Sequence, residues 1–338
     1  MSNWYTTDSK TADIVVSTRI RLARNISGIP FPNRLSAEGK EELKSRVKSA
    51  IEDSNTPYAF KLKYFDMLDI PENEIGAMVE RHIISPEFAE HPEGRAIILS
   101  SDESISIMIG EEDHIRIQVI KGGLCLEEAY NIAENLESML NGKLHFAFDS
   151  NLGFLTECPT NLGTGLRASV MLHLPLCEGV GEIGILSETV SKIGFTVRGM
   201  YGEGSKSSAS LYQISNQVTL GLSEKDAIEN LKIITTQIVD KENKKRENLN
   251  KIKLEDTVYR ALGTLQSCRI LSSGEMMNLI SKIKLGIGMG IINEEILPMK
   301  LFVENQPYSL MKKHGNISPD ERDIVRASDI REVLRRVQ

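Results

Sequence analysis

The sequence has few cysteines, no long apolar run and no basic leader. Its four cysteines, at positions 125, 158, 177 and 268, form no C-x-x-C pair and have no metal-ligand spacing to a histidine. We therefore expect reduced thiols and no metal site formed by the protein alone. No run approaches the roughly eighteen apolar residues of a membrane span, and the N-terminus lacks the pattern of a secretion signal. These absences favour a cytoplasmic protein.

Common nucleotide-binding and hydrolytic signatures are also missing. The chain contains no G-x-x-x-x-G-K-S/T, no H-R-D with D-F-G and no H-E-x-x-H. Residues 163–168 fit G-x-G-x-x-A, but Pro159 and Asn161 come immediately before them and no acidic residue closes a βαβ unit, so a dinucleotide fold is not expected. A net charge of −7 argues against general nucleic-acid binding and suits a cationic acceptor.

The length and composition predict two domains. A chain of 338 residues, 41% of them hydrophobic, can form a core without disulfide bonds. Strand and helix patterns alternate up to about residue 250, whereas helical periodicity runs almost throughout residues 251–338. We place the boundary near 250, so that the domains are 1–250 and 251–338. The charged run at 240–247 is interpreted as a solvated helix that joins them.

Periodicity and turn residues predict the elements of the first domain. Helices are predicted at 36–53, 74–84, 126–140, 182–190 and 223–250, and strands at 13–24, 96–100, 105–109, 114–120, 143–148, 194–198 and 211–220. Residues 158–170 are predicted to form a loop between rigid elements, and the glycine-rich residues 198–210 a loop that closes over a ligand.

Five arginines lie in strands or in turn segments. Arg19 and Arg21 are two apart, so on a strand both guanidinium groups point to one face, although a solvated edge strand would show the same alternation. Arg116 follows an acidic hairpin turn, and Arg167 and Arg198 belong to glycine-bearing segments. Taken alone, Arg167 is also consistent with a simple glycine turn and a solvated side chain. Together the five could hold the oxygens of a triphosphate through bidentate hydrogen bonds.

Carboxylates near these arginines suggest a second reactant. The hairpin turn contains Glu111, Glu112 and Asp113, and Glu203 lies in the later glycine-rich segment. A guanidinium has a pKa above about 12 and no nucleophilic lone pair while it is protonated. A glutamate could orient it and take its proton as an N–P bond forms. An ordinary acidic surface turn is the alternative.

Four segments occur in a fixed order: Ser17-Thr-Arg-Ile-Arg21, Glu111-Glu-Asp-His-Ile-Arg116, Cys158-Pro-Thr-Asn-Leu-Gly-Thr-Gly165 and Arg198-Gly-Met-Tyr-Gly-Glu203. They resemble the motifs of the ATP:guanidino phosphotransferases, the phosphagen kinases that include creatine and arginine kinase. The resemblance implies an α+β fold in which helices flank an antiparallel sheet. Here a smaller all-α C-terminal domain would follow it.

The resemblance also implies which residues form the site. The residues expected to bind ATP, whose Mg²⁺ is carried by the nucleotide, are Ser17, Thr18, Arg19, Ile20, Arg21, His82, Arg116, Arg167, Ala168, Ser169, Val170, Met171, Arg198, Gly199, Met200, Tyr201, Gly202 and Glu203. Glu112, Glu203 and Cys158 would contact the substrate arginine, and Arg116 and Arg167 would complete the catalytic set. On the simpler alternatives, Cys158 is inert packing and His82 caps a helix.

Two departures from the phosphagen kinases indicate a protein acceptor. The arginine strand begins at Asp13 without a helical N-terminal domain before it, which would leave room for an arginine on a folded partner. The added C-terminal domain resembles that of the bacterial protein-arginine kinases, a branch of the family. Arg322-Asp323-Ile-Val-Arg326-Ala327 resembles the R-D-x-x-R-A motif that binds phosphoarginine allosterically there. A pair of arginines on a solvated helix face, four residues apart, is the alternative.

The resemblance therefore implies transfer of the ATP γ-phosphoryl group to arginine residues of proteins, in stress response and protein quality control. It further implies a homodimer formed through the C-terminal domain, an activator, McsA, and targets that include the stress-gene repressor CtsR and proteins delivered to ClpC. No nucleic-acid or membrane partner is expected. Two alternatives stay open: a kinase of free arginine, and a non-catalytic adaptor that binds phosphoarginine.

Overall fold

The protein is described by a computed structural model at residues 3–7, 12–54, 61–200, 209–292 and 296–335. The strands are β1 (Val15–Arg24), β2 (Leu62–Asp66), β3 (Ala96–Ser100), β4 (Ile105–Ile109), β5 (Ile115–Gly122), β6 (Phe148–Asp149), β7 (Gly153–Phe154), β8 (Leu166–His173), β9 (Phe195–Gly199) and β10 (Leu211–Asn216). Eight of them form one antiparallel sheet in the order β2-β3-β4-β5-β1-β8-β10-β9, and β6 pairs with β7. Because β1 lies in the middle of this sheet, the edge-strand alternative for its arginines is wrong.

Helices cover the sheet and continue beyond it. They are α1 (Ala37–Glu52), α2 (Glu72–Glu80), α3 (Pro86–Glu90), α4 (Leu126–Leu144), α5 (Pro175–Gly179), α6 (Ile183–Ser191), α7 (Glu224–Glu247), α8 (Lys251–Ser267), α9 (Ser273–Gly288), α10 (Pro298–Glu304), α11 (Pro307–His314) and α12 (Pro319–Leu334). The predicted class, an antiparallel sheet flanked by helices and followed by a helical C-terminal region, is confirmed. Within the described ranges, no helix is both long and apolar enough to cross a membrane.

The alternation of side chains along the strands turns one face of the sheet to the main core. Ile20 and Leu22 of β1, with Ala168 and Val170 of β8, lie in a core that includes buried residues of α1, α4, α6 and α7. Neighbouring strand residues such as Arg19 and Arg21 point to the opposite face because the side-chain period of a strand is two. Burial of Ile20, Leu22 and Val170, at about 2 kcal/mol each, therefore fixes the direction of the arginines.

A second core joins the C-terminal helices to one end of the arginine-bearing face. A β-bulge between Val15 and Ser17 turns Val16 to that face, where it packs with Ile120 and Met171. Apolar side chains of α8, α9, α10 and α12 complete this core. The turn after α7, where Asn250 caps α8, lies at the predicted domain boundary, yet the helices beyond it share a core with the sheet.

Helix α4 is longer than the sequence predicts. It continues through Gly142 to Leu144, because Leu140 and Leu144 are both buried and this packing outweighs the low helix propensity of glycine. The strand predicted at 143–148 is therefore wrong, and only the short β6 follows.

Three further boundaries differ from their predictions. The loop predicted at 158–170 ends when β8 begins at Leu166, and the strand predicted at 211–220 ends at Asn216. The helix predicted at 74–84 stops at Glu80, since His82 has a left-handed backbone with φ of +60°. The hairpin predicted around residues 105–120 is confirmed as β4 and β5.

The charged run at 240–247 is not a fully solvated helix surface. Glu242 is completely buried, and its carboxylate accepts hydrogen bonds from the backbone N–H groups of Leu176 and Cys177 at 2.9 and 3.0 Å. Arg246 is also buried, and it pairs with Asp13 at 2.5 and 3.2 Å. Through a carboxylate that caps α5 and an ion pair with Asp13, just before β1, this end of α7 connects two other parts of the structure.

Candidate active site

A cavity of about 880 Å³ opens on the arginine-bearing face of the sheet. Side chains from the four predicted motif segments line it together with His82 and Arg167: Arg19, Arg21, Arg116, Arg198, Met200, Glu111, Glu112, Cys158, Thr160 and Asn161. Sequence spacing alone did not show that these segments meet, and the structure brings them to one cavity.

Strand register explains why the arginines converge. Arg21 of β1 lies opposite Arg167 of β8. Ala23, which is two residues further along β1 and so on the same face as Arg21, lies opposite Arg116 of β5. Cross-strand partners in an antiparallel sheet share a face, so these guanidinium groups point into the same space. Arg198 of β9 reaches that space from the edge of the sheet.

The cavity floor holds like charges at close range. Burial, followed by the charges of Arg167 and Arg116, lowers the pKa of Arg19 to about 10. Burial and the neighbouring guanidinium groups, Arg19 first, also lower the pKa of Arg21. The buried Nε of Arg21 has no hydrogen-bond partner among the described residues, whereas Arg19 donates to Gln213 Oε1 at 2.9 Å. A floor of this kind is suited to a polyanion that would supply the missing acceptors.

The three hairpin carboxylates have different partners. Glu111 is buried and contacts both Arg116 and the Ser85 hydroxyl. Asp113 is buried as well and accepts from the Asn25 side chain and from the backbone of Glu157. Glu112 lies in the cavity with 41% of its side chain exposed, 3.6 Å from Arg116. Among these three, Glu112 is therefore the carboxylate that a ligand can reach.

The loop that carries Cys158 forms the other side of the cavity. Cys158 is half-buried at the start of a short 3-10 turn, and its Sγ lies 3.0 Å from the Thr160 hydroxyl. Glu157 also lines the cavity, and burial followed by the charges of Asp113 and Glu112 raises its pKa. Sequence reasoning missed Glu157, whose only signal was its place directly before the cysteine motif.

His82 forms a wall of the cavity. Its ring stays neutral at physiological pH, because burial and then the charge of Arg19 lower its pKa to about 3. Gln118 holds the turn by donating to the carbonyls of His82 at 2.9 Å and Ile83 at 3.1 Å. Gln118 and Gln213 were also missed, although both are polar residues that alternate with apolar ones in predicted strands.

Other predicted nucleotide residues do not line the cavity. These are Ser17, Thr18, Ile20, Ala168, Ser169, Val170, Met171 and Gly199. Ile20, Ala168 and Val170 lie in the core on the other face, and Thr18 bonds to the β5–α4 connection through Gly123 and Cys125. Tyr201, Gly202 and Glu203 lie outside the described residues. No group of three His, Cys, Asp or Glu side chains in the described ranges is arranged to hold a metal ion.

Comparison with known proteins places nearly the whole chain among the guanidino phosphotransferases. Residues 42–245 match the family of the ATP:guanido phosphotransferase C-terminal catalytic domain, and residues 251–338 match the protein-arginine kinase McsB C-terminal domain. A protein-arginine kinase of Clostridium kluyveri is 46% identical over 99% of each chain. One of Halothermothrix orenii is also 46% identical, over 98% of this chain and 96% of its own. This chain belongs to the protein-arginine kinase family.

Solved structures show the fold shared with other guanidino kinases. Lombricine kinase superimposes with a TM-score of 0.62 at 22% identity, over 72% of this chain and 69% of its own. The substrate-free duplicated taurocyamine kinase of Schistosoma mansoni gives a TM-score of 0.59 at 26% identity, over 70% of this chain and 33% of that longer chain.

In this member of the protein-arginine kinase family, the C-terminal arginine motif is only partly accessible. Arg326 of α12 is 1% exposed, donates to the carbonyls of Asn305 at 2.9 Å and Leu271 at 2.8 Å, and contacts Asp323. The solvated-face alternative is therefore wrong for Arg326. Arg322 and Asp323 are half-buried, whereas Ala327 lies in the core.

Proposed function

We propose that this chain transfers the γ-phosphoryl group of ATP to the guanidinium group of arginine residues in proteins. The observation that carries the proposal is one cavity lined by five arginines and also by Glu112 and Cys158. Such a cavity aligns a polyphosphate with a cationic acceptor. Alignment of two reactants can lower a barrier by up to roughly 7–11 kcal/mol.

The charges that line the cavity indicate where each of the two reactants would bind. Arg19, Arg21, Arg116, Arg167 and Arg198 would neutralise the phosphate oxygens, and the unpartnered Nε of Arg21 fits such a ligand. The nucleotide would bring its own Mg²⁺, which supplies further charge neutralisation on the phosphates. Phosphoryl transfer needs little more from the protein than this positioning and charge stabilisation.

Glu112 is proposed to orient and deprotonate the acceptor guanidinium. It would orient the guanidinium and accept one of its protons while a guanidinium nitrogen bonds to the γ-phosphorus. The bond from that phosphorus to the β,γ-bridging oxygen breaks, and ADP leaves with the electron pair. The products are phosphoarginine and ADP, with the proton on Glu112. Cys158 and Glu203 would contact the same guanidinium.

Two observations support a protein acceptor. The relatives that match this chain over nearly their full length are named protein-arginine kinase, and residues 251–338 match the protein-arginine kinase McsB C-terminal domain. We extend the proposal to cytoplasmic stress response and quality control, with McsA, CtsR and ClpC as partners.

Dimerisation through the C-terminal domain is supported by Ile252 and Tyr259, which are 77% and 49% exposed on α8. For phosphoarginine sensing, Arg322 and Asp323 would contact the ligand while Arg326 and Ala327 support α12.

Mass spectrometry of phosphopeptides, under conditions that preserve acid-labile N–P bonds, tests the main proposal. The full chain is incubated with ATP, Mg²⁺ and an unfolded protein, or with free arginine in place of the protein. We expect phosphoarginine on the protein and far less product from free arginine. A preference for free arginine would indicate the small-molecule alternative, and no ATP turnover at all would indicate the adaptor.

Glu112→Gln tests the assignment of the proton acceptor. The substitution keeps the shape of the side chain and removes the base, so we expect the rate of transfer to fall by roughly 10²–10⁴. Glu90→Gln, at an exposed position on α3 that does not line the cavity, is the control. Undiminished transfer by Glu112→Gln would contradict the role given to Glu112.

A further inference from the structure

The cavity wall at His82 is connected to the C-terminal helices through one buried carboxylate. Glu80, the last residue of α2, is 7% exposed. Its Oε1 accepts from the backbone N–H of Tyr308 at 2.8 Å, and its Oε2 accepts from the N–H and the hydroxyl of Ser309 at 2.8 and 2.9 Å. The carboxylate therefore satisfies unpaired N–H groups at the start of α11 from outside that helix.

Further contacts make α2 and α11 a tightly packed pair. The ring of Tyr308 lies against Gly76 so closely that a Cβ at Gly76 would be 2.3 Å from it. Glu74 pairs with Lys312 at 2.5 Å on the same side. Because the two helices meet through a glycine contact and a buried carboxylate, a displacement of α11 displaces the end of α2.

The end of α2 leads directly to the cavity. His82 follows Glu80 by two residues and has a φ of +60°, a conformation that costs a non-glycine residue roughly 1–3 kcal/mol and persists only where its surroundings impose it. Gln118 restrains this turn from the sheet. Trp4 restrains it from outside, because its indole N–H donates to the Arg81 carbonyl at 2.9 Å.

We infer that Glu80 is a positioning residue for the nucleotide site: by tying α2 to α11, it holds His82 in the cavity wall and makes ATP affinity depend on the C-terminal helices. The inference rests on the proposed function, since it takes this cavity as the ATP site. Glu80 itself does not line the cavity, so it acts through His82.

A second buried carboxylate provides a matched control. Glu242 of α7 is also buried and also accepts from two backbone N–H groups, at the start of α5. Neither Glu242 nor α5 lines the cavity. Glu242→Gln therefore disturbs the same kind of contact as Glu80→Gln, without a connection to His82.

The test compares Glu80→Gln, Ser309→Ala and Glu242→Gln in the full chain. Calorimetric titration with Mg-ATP gives Kd, steady-state assays separate the KM for ATP from the KM for the acceptor, and thermal unfolding measures stability. Trp4 is the only tryptophan, and its ring lies 5.7 Å from that of His82, so its fluorescence reports on the turn.

We expect Glu80→Gln to raise the Kd for ATP at least about fivefold, to shift Trp4 emission and to leave the KM for the acceptor unchanged. Ser309→Ala, which removes one hydrogen bond from the C-terminal side, should change Kd in the same direction by less. Glu242→Gln should lower the melting temperature without changing Kd or the emission of Trp4.

Wild-type affinity in both Glu80→Gln and Ser309→Ala would overturn the inference, as would equal weakening in Glu242→Gln. If Glu80→Gln does not fold, the Kd of Ser309→Ala for ATP decides between the inference and its rejection. Failure of the wild-type chain to bind ATP is a different result: it overturns the proposed function, and the nucleotide role of Glu80 with it.

Discussion

Arg21 shows at the scale of one residue how ligand binding and stability oppose each other. Its guanidinium lies on the cavity floor beside Arg19, Arg116 and Arg167, and burial with these charges lowers its pKa. In the absence of an anion, its charge is a cost to the folded state. The same charge is what a phosphate would bind.

Arg21→Leu is therefore expected to stabilise the nucleotide-free protein while abolishing ATP binding. Relief of desolvation and like-charge repulsion should raise the free energy of unfolding by roughly 1 kcal/mol, the usual size of a stabilising change at a functional site. Urea unfolding with and without ATP measures both effects. Arg46→Leu, at an exposed position on α1, should do neither. Lower stability of Arg21→Leu would show that Arg21 supports the fold.

The residues of the site could be predicted from the sequence only in part. Two arginines two positions apart on a strand had to share a face, and Arg19 and Arg21 do. The same period of two turns the side chains of Ile20 and Ala168 to the core, so the resemblance to a continuous motif included residues whose side chains do not face the cavity. Which hairpin carboxylate stays accessible depends on Ser85 and Asn25, whose positions come from distant parts of the chain.

At the scale of an element, the loop from Cys158 to Gly165 packs closely against neighbouring backbone at Gly163. Gly163 has a φ of +108°, and a Cβ there would lie 2.3 Å from the carbonyl oxygen of Thr219. The Thr219 hydroxyl also donates to the carbonyls of Thr160 and Leu162 at 2.9 and 2.7 Å. The segment after β10 therefore holds the loop that carries Cys158.

Gly163→Ala should displace this loop and reduce both stability and transfer. Strain of a non-glycine residue in this conformation is roughly 1–3 kcal/mol, before the contact with Thr219 is counted. Gly179→Ala, where nothing lies within 4 Å of the added Cβ, should be close to neutral. Thermal unfolding and acceptor KM measure the two effects. Equal behaviour of the variants would show that the loop tolerates the displacement.

Elements were predicted well where periodicity and caps agreed, and poorly where tertiary packing decided. Ser36 and Ser223 cap α1 and α7 as their spacing indicates. Gly142 stays helical only because Leu144 is buried in the core, which the local sequence does not reveal. The left-handed turn at His82 depends on contacts with Gln118 and Trp4, far away in the chain.

At the scale of the whole molecule, buried charges join the segment before β1 to α7 and α9. Lys284 of α9 donates to the carbonyl of Ala12 at 2.5 Å, near the Asp13–Arg246 pair. Burial lowers the pKa of Lys284 to about 8; Asp13 opposes the shift and Arg246 adds to it. The sequence presents Arg246 and Lys284 as ordinary charges on helices, and only their contacts with Asp13 and Ala12, just before β1, show otherwise.

The low pKa of Lys284 predicts a pH-dependent contribution to stability. An unfolded lysine has a pKa of about 10.4, so between about pH 8 and 10.4 the unfolded chain binds more protons at this site and stability rises with pH. Lys284→Met should remove this rise. Relative to Lys284→Met, the wild-type chain should therefore gain on the order of 1–2 kcal/mol between pH 7.5 and 9.5 in urea unfolding.

Lys282→Met, at an exposed position on the same helix, should keep the wild-type slope. A parallel pH dependence of wild type and Lys284→Met would mean that Lys284 titrates like a solvated lysine, and that its environment is more polar than its burial indicates.

The cavity and the C-terminal helices share one face of the sheet. This arrangement also determines how late during translation the sheet can finish folding. Val16 and Ile120 leave the ribosome early, but C-terminal members of the same core, such as Val258 and Ile330, follow far behind. The catalytic sheet can close its apolar end only when nearly the whole polypeptide has emerged. A nascent chain is therefore expected to acquire kinase activity late, once translation of the C-terminal helices is complete.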